Sequence, residues 1–427
     1  MKVAFYLENR AIRNVDCTDV VSGNPGIGGT QYMILLVATM LSSRENGMEI
    51  ILYTEVDGKL PDGLNYCVTG DFLNTVHSAD KDDVTYLVFR HNASLIKDGT
   101  LAALRTSTKL IVWDHVFVCY WELDYYAKDP NIFKIINVGR EMNDLYRDHP
   151  AFKKSCYIYN CVQTSGAEMS VKSHPFNERD KIVTYIGSIV PFKGFHLLAQ
   201  AWPEVIEKEP TAQLYVIGSG KLYNQGGKMG QYGIAEESYE KLIMQYLTRD
   251  GALLDSVHFM GILGKDKNEI LLRTKVGVPN PSGITETFCI SAVEMQLMGA
   301  VVTTIKAPGY LDTVRNGHLF GRAGDLAHNI IELLNSNESD YSRALSYFES
   351  NFSPESVIPK WEELFLKGTV KYDNSLSNPS YRLKWLKESL RKMSIRFPFI
   401  YRINPTVERL YLFVERLVKG RITYIDS

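Results

Sequence analysis

Residues 181–202 read KIVTYIGSIVPFKGFHLLAQAW. The apolar run 181–187 stops at Gly187, a short loop follows, and Lys193-Gly194 opens a helix. A continuous apolar run of this length reads as a strand buried on both faces of a parallel sheet. The rhythm continues downstream in AQLYVIG (212–218), VHFMG (257–261), KVGVP (275–279) and AVVTTI (300–305). It also runs upstream, in VAFYL (3–7), EIILYT (49–54), TYLVF (85–89), KLIVW (109–113) and FKIINV (133–138). Between the two series lies a polar stretch, 163–180, which reads as a linker. Two βα series with one break predict two doubly wound α/β domains. Ligands of such sheets sit beyond the carboxyl ends of the strands, so the cleft between the domains is the expected site.

Composition fits that reading. A chain of 427 residues is too long for one ordinary core. With 45% hydrophobic and 22% charged residues it has the balance of a globular protein. A net charge of -2 offers no global basic field for nucleic acid. The charge is unevenly spread: residues 367–427 carry 13 Lys and Arg against 5 Asp and Glu, a net of +8, and the remainder is at -10. In that tail, segments starting at Pro379 and Pro405 place Leu383, Leu386, Leu390 and Met393, and then Val407, Leu410, Val414 and Leu417, on one helical face. The tail reads as a helix pair that covers the body, lies on an anionic membrane surface, or makes a subunit contact. Six cysteines without a C-x-x-C pair form neither a disulfide scaffold nor a zinc site, and a reducing cytosol is the expected compartment. The strand-like start, 2–7, does not read as a signal peptide, and the longest apolar stretch, 32–41, is about half of a membrane span.

Three stretches carry chemistry. PGIGGTQ (25–31) follows the first strand and leads into a helix starting near Thr30. Its glycines admit a ligand close to the backbone, and the helix N-terminus offers N–H groups to an anion. The spacing is not G-x-G-x-x-G, which disfavours a nicotinamide site. YIGSIVPFKGF (185–195) puts Lys193 at a helix start, where a point charge suits phosphate. PSGITETFCISAVE (281–294) has Glu286 in a loop and Glu294 in the first turns of a helix whose N-terminal amides belong to Phe288, Cys289 and Ile290. Carboxylates beside bound phosphate serve best as acceptors for neutral hydroxyls, those of a sugar and a ribose. Two phosphate cradles and two hydroxyl acceptors point to a nucleotide-sugar.

At residues 1–366 the sequence resembles the GT-B glycosyltransferases, in particular the large retaining group often called family 4. The matching pieces stand in family order: the Gly26 to Gly29 loop, His115 in VWDH, Tyr159-Asn160-Cys161-Val162, Gly187 to Gly194, Gly218-Ser219-Gly220, Val257 to Gly261, the Glu-x7-Glu segment, Gly299, and the run from Asn316 to Asp325. The resemblance implies GT-B architecture, two Rossmann-like domains facing across a cleft: an acceptor-side domain over 1–165, a nucleotide-sugar domain over 175–350, a crossover helix over 354–366 and a basic helical tail from 371. It implies transfer of a hexosyl unit from a UDP- or GDP-sugar to a glycan or lipid-linked acceptor, with retention, no metal and no cofactor. Gly28 and Gly29 then face the diphosphate, His115 lies beside the transferred sugar, Lys193 neutralises the leaving diphosphate, Glu286 holds sugar hydroxyls and Glu294 the ribose. One departure is Ser188, where the family usually places Arg. It motivates a rival reading as a weakened donor-binding or scaffold subunit, beside that of a GT-B-shaped epimerase. Asp80-Lys81-Asp82 matches the metal-binding D-x-D pattern of other transferases but reads as a surface loop, and His91 reads as a polar strand-end residue. The glycine-rich stretch 221–240 reads as a loop over the acceptor or a surface insertion.

Overall fold

The computed structural model describes residues 1–147, 149–220 and 228–375. Contacts divide the chain into two compact units. The first comprises Met1–Gln163 and the chain from Ser350 to the end of the described residues; the second is Thr164–Glu349.

The first unit is built on seven strands: β1 Lys2–Leu7, β2 Glu49–Thr54, β3 Asn65–Val68, β4 Tyr86–Arg90, β5 Lys109–Asp114, β6 Ile132–Asn137 and β7 Ser155–Tyr157. Their order is β3-β2-β1-β4-β5-β6-β7, and every pairing is parallel. β1 pairs with β2 from Lys2↔Glu49 to Leu7↔Thr54 and with β4 through Val3↔Tyr86. Residues Val3 to Leu7 are wholly buried, as a central strand covered on both faces requires. The helix Pro354–Lys367 packs aromatic side chains into this core. Trp361 lies 6.1 Å from Phe5 and 4.7 Å from Trp113, ring centre to ring centre.

The second unit contains β8 Ile182–Ile186, β9 Gln213–Ile217, a two-residue hairpin of β10 Thr248–Arg249 and β11 Ala252–Leu253, then β12 Val257–Gly261, β13 Val276–Gly277, β14 Val301–Ile305 and β15 Gly317–Phe320. Its large sheet runs β12-β9-β8-β13-β14-β15, again parallel throughout. Tyr185, Phe195, Trp202, Tyr239, Ile243 and Ile330 are among its core residues.

The strand order reverses between β1 and β4 in one sheet and between β8 and β13 in the other. At such a switch point the loops leave neighbouring strand ends in opposite directions and open a crevice. Loops after β1 and β4, and after β8 and β13, are therefore the ones positioned to bind.

Several sequence expectations need correction. β3, β7 and β15 were not among the apolar runs. β3 is an exposed edge strand, β7 has three residues, and β15 is the edge of its sheet. Residues 163–180 are not simply a linker: they hold the helix Ala167–Lys172 and a 3-10 turn, Phe176–Glu178. Asp80 and Lys81 end the helix Phe72–Lys81 rather than lying in a loop. Part of 221–240, and both amphipathic tail segments, lie outside the described residues. Among the described residues no helix is long and apolar enough to cross a membrane.

Candidate active site

In the second unit, the switch point carries two loops. The first leaves β8 at Gly187, and a 3-10 turn, Pro191–Lys193, precedes the helix Phe195–Lys208. Lys193 thus ends a tight turn instead of opening the helix itself. Gly194 between them has φ +68°, and a Cβ there would lie 2.7 Å from both Cβ and N of Ser282. Only glycine serves at such a crossing of positive φ and close approach. Below the loop, the buried Tyr185 hydroxyl reaches the carbonyl oxygens of Ser188 (3.0 Å) and Lys193 (3.2 Å). At its side, the Ser282 hydroxyl lies 2.7 Å from the Phe192 carbonyl oxygen.

The second loop leaves β13. It runs through Asn280 and Ser282 to Glu286, and the helix Ile290–Leu297 follows. Thr285 has φ +56°. A β-branched residue in that region is a genuine outlier, costing of order 1–3 kcal/mol, and here it immediately precedes Glu286. Gly309 closes the loop from outside: its amide donates to the Glu286 carbonyl oxygen (3.1 Å), and a Cβ on it would lie 2.7 Å from the Phe288 nitrogen.

The two loops meet at one ion pair. Lys193 Nζ donates to Glu286 Oε2 at 3.2 Å, with both side chains mostly buried. Glu286 Oε2 also accepts from Asn280 Nδ2 at 2.8 Å. Glu294 lies within the following helix, where Lys267 Nζ stands 3.2 Å from its Oε1. Lys267 is buried, whereas the Glu294 side chain is 21% exposed. Phe288 and Cys289 are buried, and Cys289 caps the helix whose first residue is Ile290. First-turn amides have no acceptor within their own helix, so the cap points donors toward the same end as Glu286. Burial, and then the Glu286 carboxylate, push the Cys289 thiol up to about 12. Ser188 sits in the first loop; its carbonyl is the one bound by Tyr185.

In the first unit, Gly28 caps the helix Gly29–Ser42, the segment following β1. The amides of Gly26 and Ile27 are already taken by the Asn24 side chain (2.9 Å each), which leaves Gly28 and Gly29 as the helix-start donors. His115 follows β5, its ring centre 4.7 Å from that of Trp113. Burial, and then the Arg90 charge, draw its imidazole down to about 3, so it is neutral at pH 7. His91, after β4, is drawn to about 4 by the same two causes. Its Nδ1 bonds the Tyr126 hydroxyl (2.7 Å) and its Nε2 lies 3.5 Å from Glu122. His91 is thus the polar residue at a strand end that the sequence predicts, and it joins a buried polar cluster. Asp80 Oδ1 accepts from Thr106, Ser107 and Thr108, and Asp82 accepts from the Tyr53 hydroxyl (2.7 Å). The D-x-D carboxylates are thus occupied in holding strand ends.

The structure brings Lys193, Glu286 and the cap at Cys289 together, and sets Glu294 on the same helix. Asn280 and Lys267 were missed. A lone Asn between two prolines at the end of an apolar run was a usable signal for the first. For the second, nothing in the charged run 265–269 sets Lys267 apart from Lys265.

Residues 167–347 match the sequence profile of the Glycosyl transferases group 1 family. Among solved structures, Anabaena Alr3699/HepE in complex with UDP and glucose is similar at TM-score 0.60 and 17% identity, over 86% of this chain and 100% of that one. A glycosyltransferase from Rickettsia africae gives 0.59 and 12%, over 86% and 99%. The lipopolysaccharide outer core galactosyltransferase WaaB, in its apo form, gives 0.54 and 11%, over 86% and 100%. No curated protein matches the sequence. With two parallel doubly wound units and solved neighbours that share them, the chain has GT-B architecture, and residues 167–347 of it match the group 1 glycosyltransferase family.

Proposed function

We propose that the protein transfers a hexosyl unit from a UDP- or GDP-sugar to a glycan or lipid-linked acceptor, with retention of configuration and without a metal ion. The observation that carries this reading is the Lys193–Glu286 pair at the β8/β13 switch point. A lysine has three donors, and one is spent on Glu286. The ammonium, a compact point charge, suits the oxygens of a leaving diphosphate, whose developing charge it stabilises. Glu286 accepts from the sugar hydroxyls and Glu294 from the ribose. The amides of Phe288, Cys289 and Ile290 add anion-binding donors, while Ser188 offers a neutral contact where the family usually has a cation. In the first unit, Gly28 and Gly29 supply helix-start amides and His115 a neutral imidazole, suited to contact a sugar hydroxyl. UDP is favoured as the nucleotude base carrier by the UDP-complexed HepE neighbour.

The test is a thermal-shift panel of UDP- and GDP-sugars followed by donor-turnover assays in EDTA. Binding of a sugar nucleotide raises the melting temperature. Activity that requires added Mg²⁺ or Mn²⁺ overturns the metal-independent part, and absence of any nucleotide binding overturns the whole. The reading extends to a cytoplasmic enzyme held peripherally at the inner membrane face by its basic tail. A juxtamembrane basic residue contributes about 1 kcal/mol near an anionic surface. Truncation after Ser375 then abolishes sedimentation with anionic liposomes at low salt and leaves donor binding intact. Full-length protein that ignores such liposomes refutes the membrane role.

A further inference from the structure

Asn280 is 3% exposed and lies just beyond β13, between Pro279 and Pro281. Its peptide is pinned: the carbonyl oxygen accepts from the Tyr310 hydroxyl (3.0 Å) and from Thr304 Oγ1 (3.2 Å). Its side chain has a single consistent orientation. Nδ2 faces two acceptors, the Ile284 carbonyl oxygen (3.2 Å) and Glu286 Oε2 (2.8 Å). Oδ1 lies 2.7 Å from the Ser282 hydroxyl, the same hydroxyl that reaches the Phe192 carbonyl in the Lys193 loop. Turning the amide over would set its oxygen against a carbonyl and a carboxylate.

Asn280 and Lys193 both donate to Oε2 of Glu286. Among the described residues none donates to Oε1. Two fixed donors on one carboxylate oxygen hold the group in place and leave Oε1 as the oxygen they do not engage. From this geometry we infer that Asn280 is a positioning residue for the donor sugar: it orients Glu286 so that Oε1 meets a sugar hydroxyl. The inference rests on the reading of Glu286 as the sugar-hydroxyl acceptor. It makes a distinction that simple loop packing does not. Glu286 contacts the sugar, so a misoriented carboxylate weakens binding of a sugar nucleotide and spares that of the bare nucleoside diphosphate.

The experiment is calorimetric titration of the full chain with UDP and with UDP-glucose, UDP-galactose and UDP-N-acetylglucosamine, repeated with GDP and GDP-mannose. Asn280→Ala should lose at least about tenfold more affinity for the preferred sugar nucleotide than for its nucleoside diphosphate. Asn280→Asp keeps the shape but sets a second carboxylate against Glu286. Two acids at that distance share a proton, so one of the pair titrates well above the usual range. The lost sugar-dependent affinity of Asn280→Asp should therefore return as pH falls from about 8 to about 5, a trend the unmodified protein lacks. Equal losses for both ligands, or no loss, overturn the inference, as does a flat pH profile in Asn280→Asp. Glu286→Gln separates the two readings. If it loses sugar-dependent affinity and the Asn280 variants do not, only the positioning role fails. If it loses none, the assignment of Glu286 fails first.

Discussion

Lys193 and Lys267 are both partly or wholly withdrawn from water, and each faces a carboxylate at 3.2 Å. Desolvating an ammonium is expensive, and a nearby carboxylate repays that cost only in good geometry. Such pairs are weak evidence for stability, and their place at a strand-end crevice argues for use. If Lys193 stabilises the leaving diphosphate, Lys193→Ala should lower kcat/KM by at least about 10²-fold, the scale for removing one electrostatic stabiliser. Steady-state kinetics on the donor identified by thermal shift checks this, and an unchanged rate would leave the lysine only its pairing with Glu286. Lys267 has a different expected signature. Lys267 holds Glu294 through one oxygen, and the Glu294 side chain stays partly exposed. Lys267→Met should weaken UDP binding about tenfold, or about 1.4 kcal/mol, while kcat at saturating donor changes little. A drop confined to kcat would instead place Lys267 in the chemical step.

Among the elements, the helices Lys267–Arg273 and Ile290–Leu297 must keep a fixed spacing for Lys267 to meet Glu294. Arg179, from the stretch that reads as a linker, supplies that spacing. Its buried guanidinium donates to the carbonyl oxygens of Thr274 (2.7 Å) and Met298 (2.8 Å), the C-caps of the two helices. A cation there satisfies orphan carbonyls and complements both helix dipoles. Burial lowers the Arg179 guanidinium to about 10, which still leaves it charged at neutral pH. Arg179→Met removes donors from buried carbonyls, at about 1–3 kcal/mol for each group left unsatisfied. Urea denaturation should show the second unit losing at least about 2 kcal/mol, and UDP binding should weaken through the displaced helices. Unchanged stability would mean that water replaces the guanidinium without loss.

Across the whole molecule, acid sensitivity follows from buried histidines. His196, in the second unit, bonds the Tyr239 hydroxyl through Nδ1 (3.0 Å), and burial lowers its imidazole to about 4. Between that value and the ordinary 6.5 the unfolded chain binds a proton that the folded chain does not. Stability therefore rises with pH across this window and is lost as pH falls from about 6.5 toward 4. One such group contributes a slope of up to about 1.4 kcal/mol per pH unit. His91 acts in the same direction in the first unit, but Glu122 beside it, raised by burial, acts in the opposite one. The second unit is the cleaner case. Melting curves from pH 7 to 4 should fall less steeply for His196→Gln than for the unmodified protein, and parallel curves would show that His196 is not the titrating group.

Strand periodicity and motif spacing were enough to read two doubly wound units, because parallel strands buried on both faces leave continuous apolar runs. β3 escaped that reading since an edge strand facing solvent has no apolar run to show. Lys193, Glu286 and Glu294 were legible as a lysine at a helix start and two acids around a helix cap, features set by neighbours along the chain. What those acids are paired with was not legible. Asn280 reaches Glu286 across a loop bent at Thr285, and Lys267 reaches Glu294 from another helix. Arg179 joins the ends of two helices far from it in sequence. Local sequence sets strands, turns and caps through short-range sterics and hydrogen bonding. Which polar side chain meets which buried charge depends on how strand ends are ordered across the sheet, and only the tertiary structure decides that.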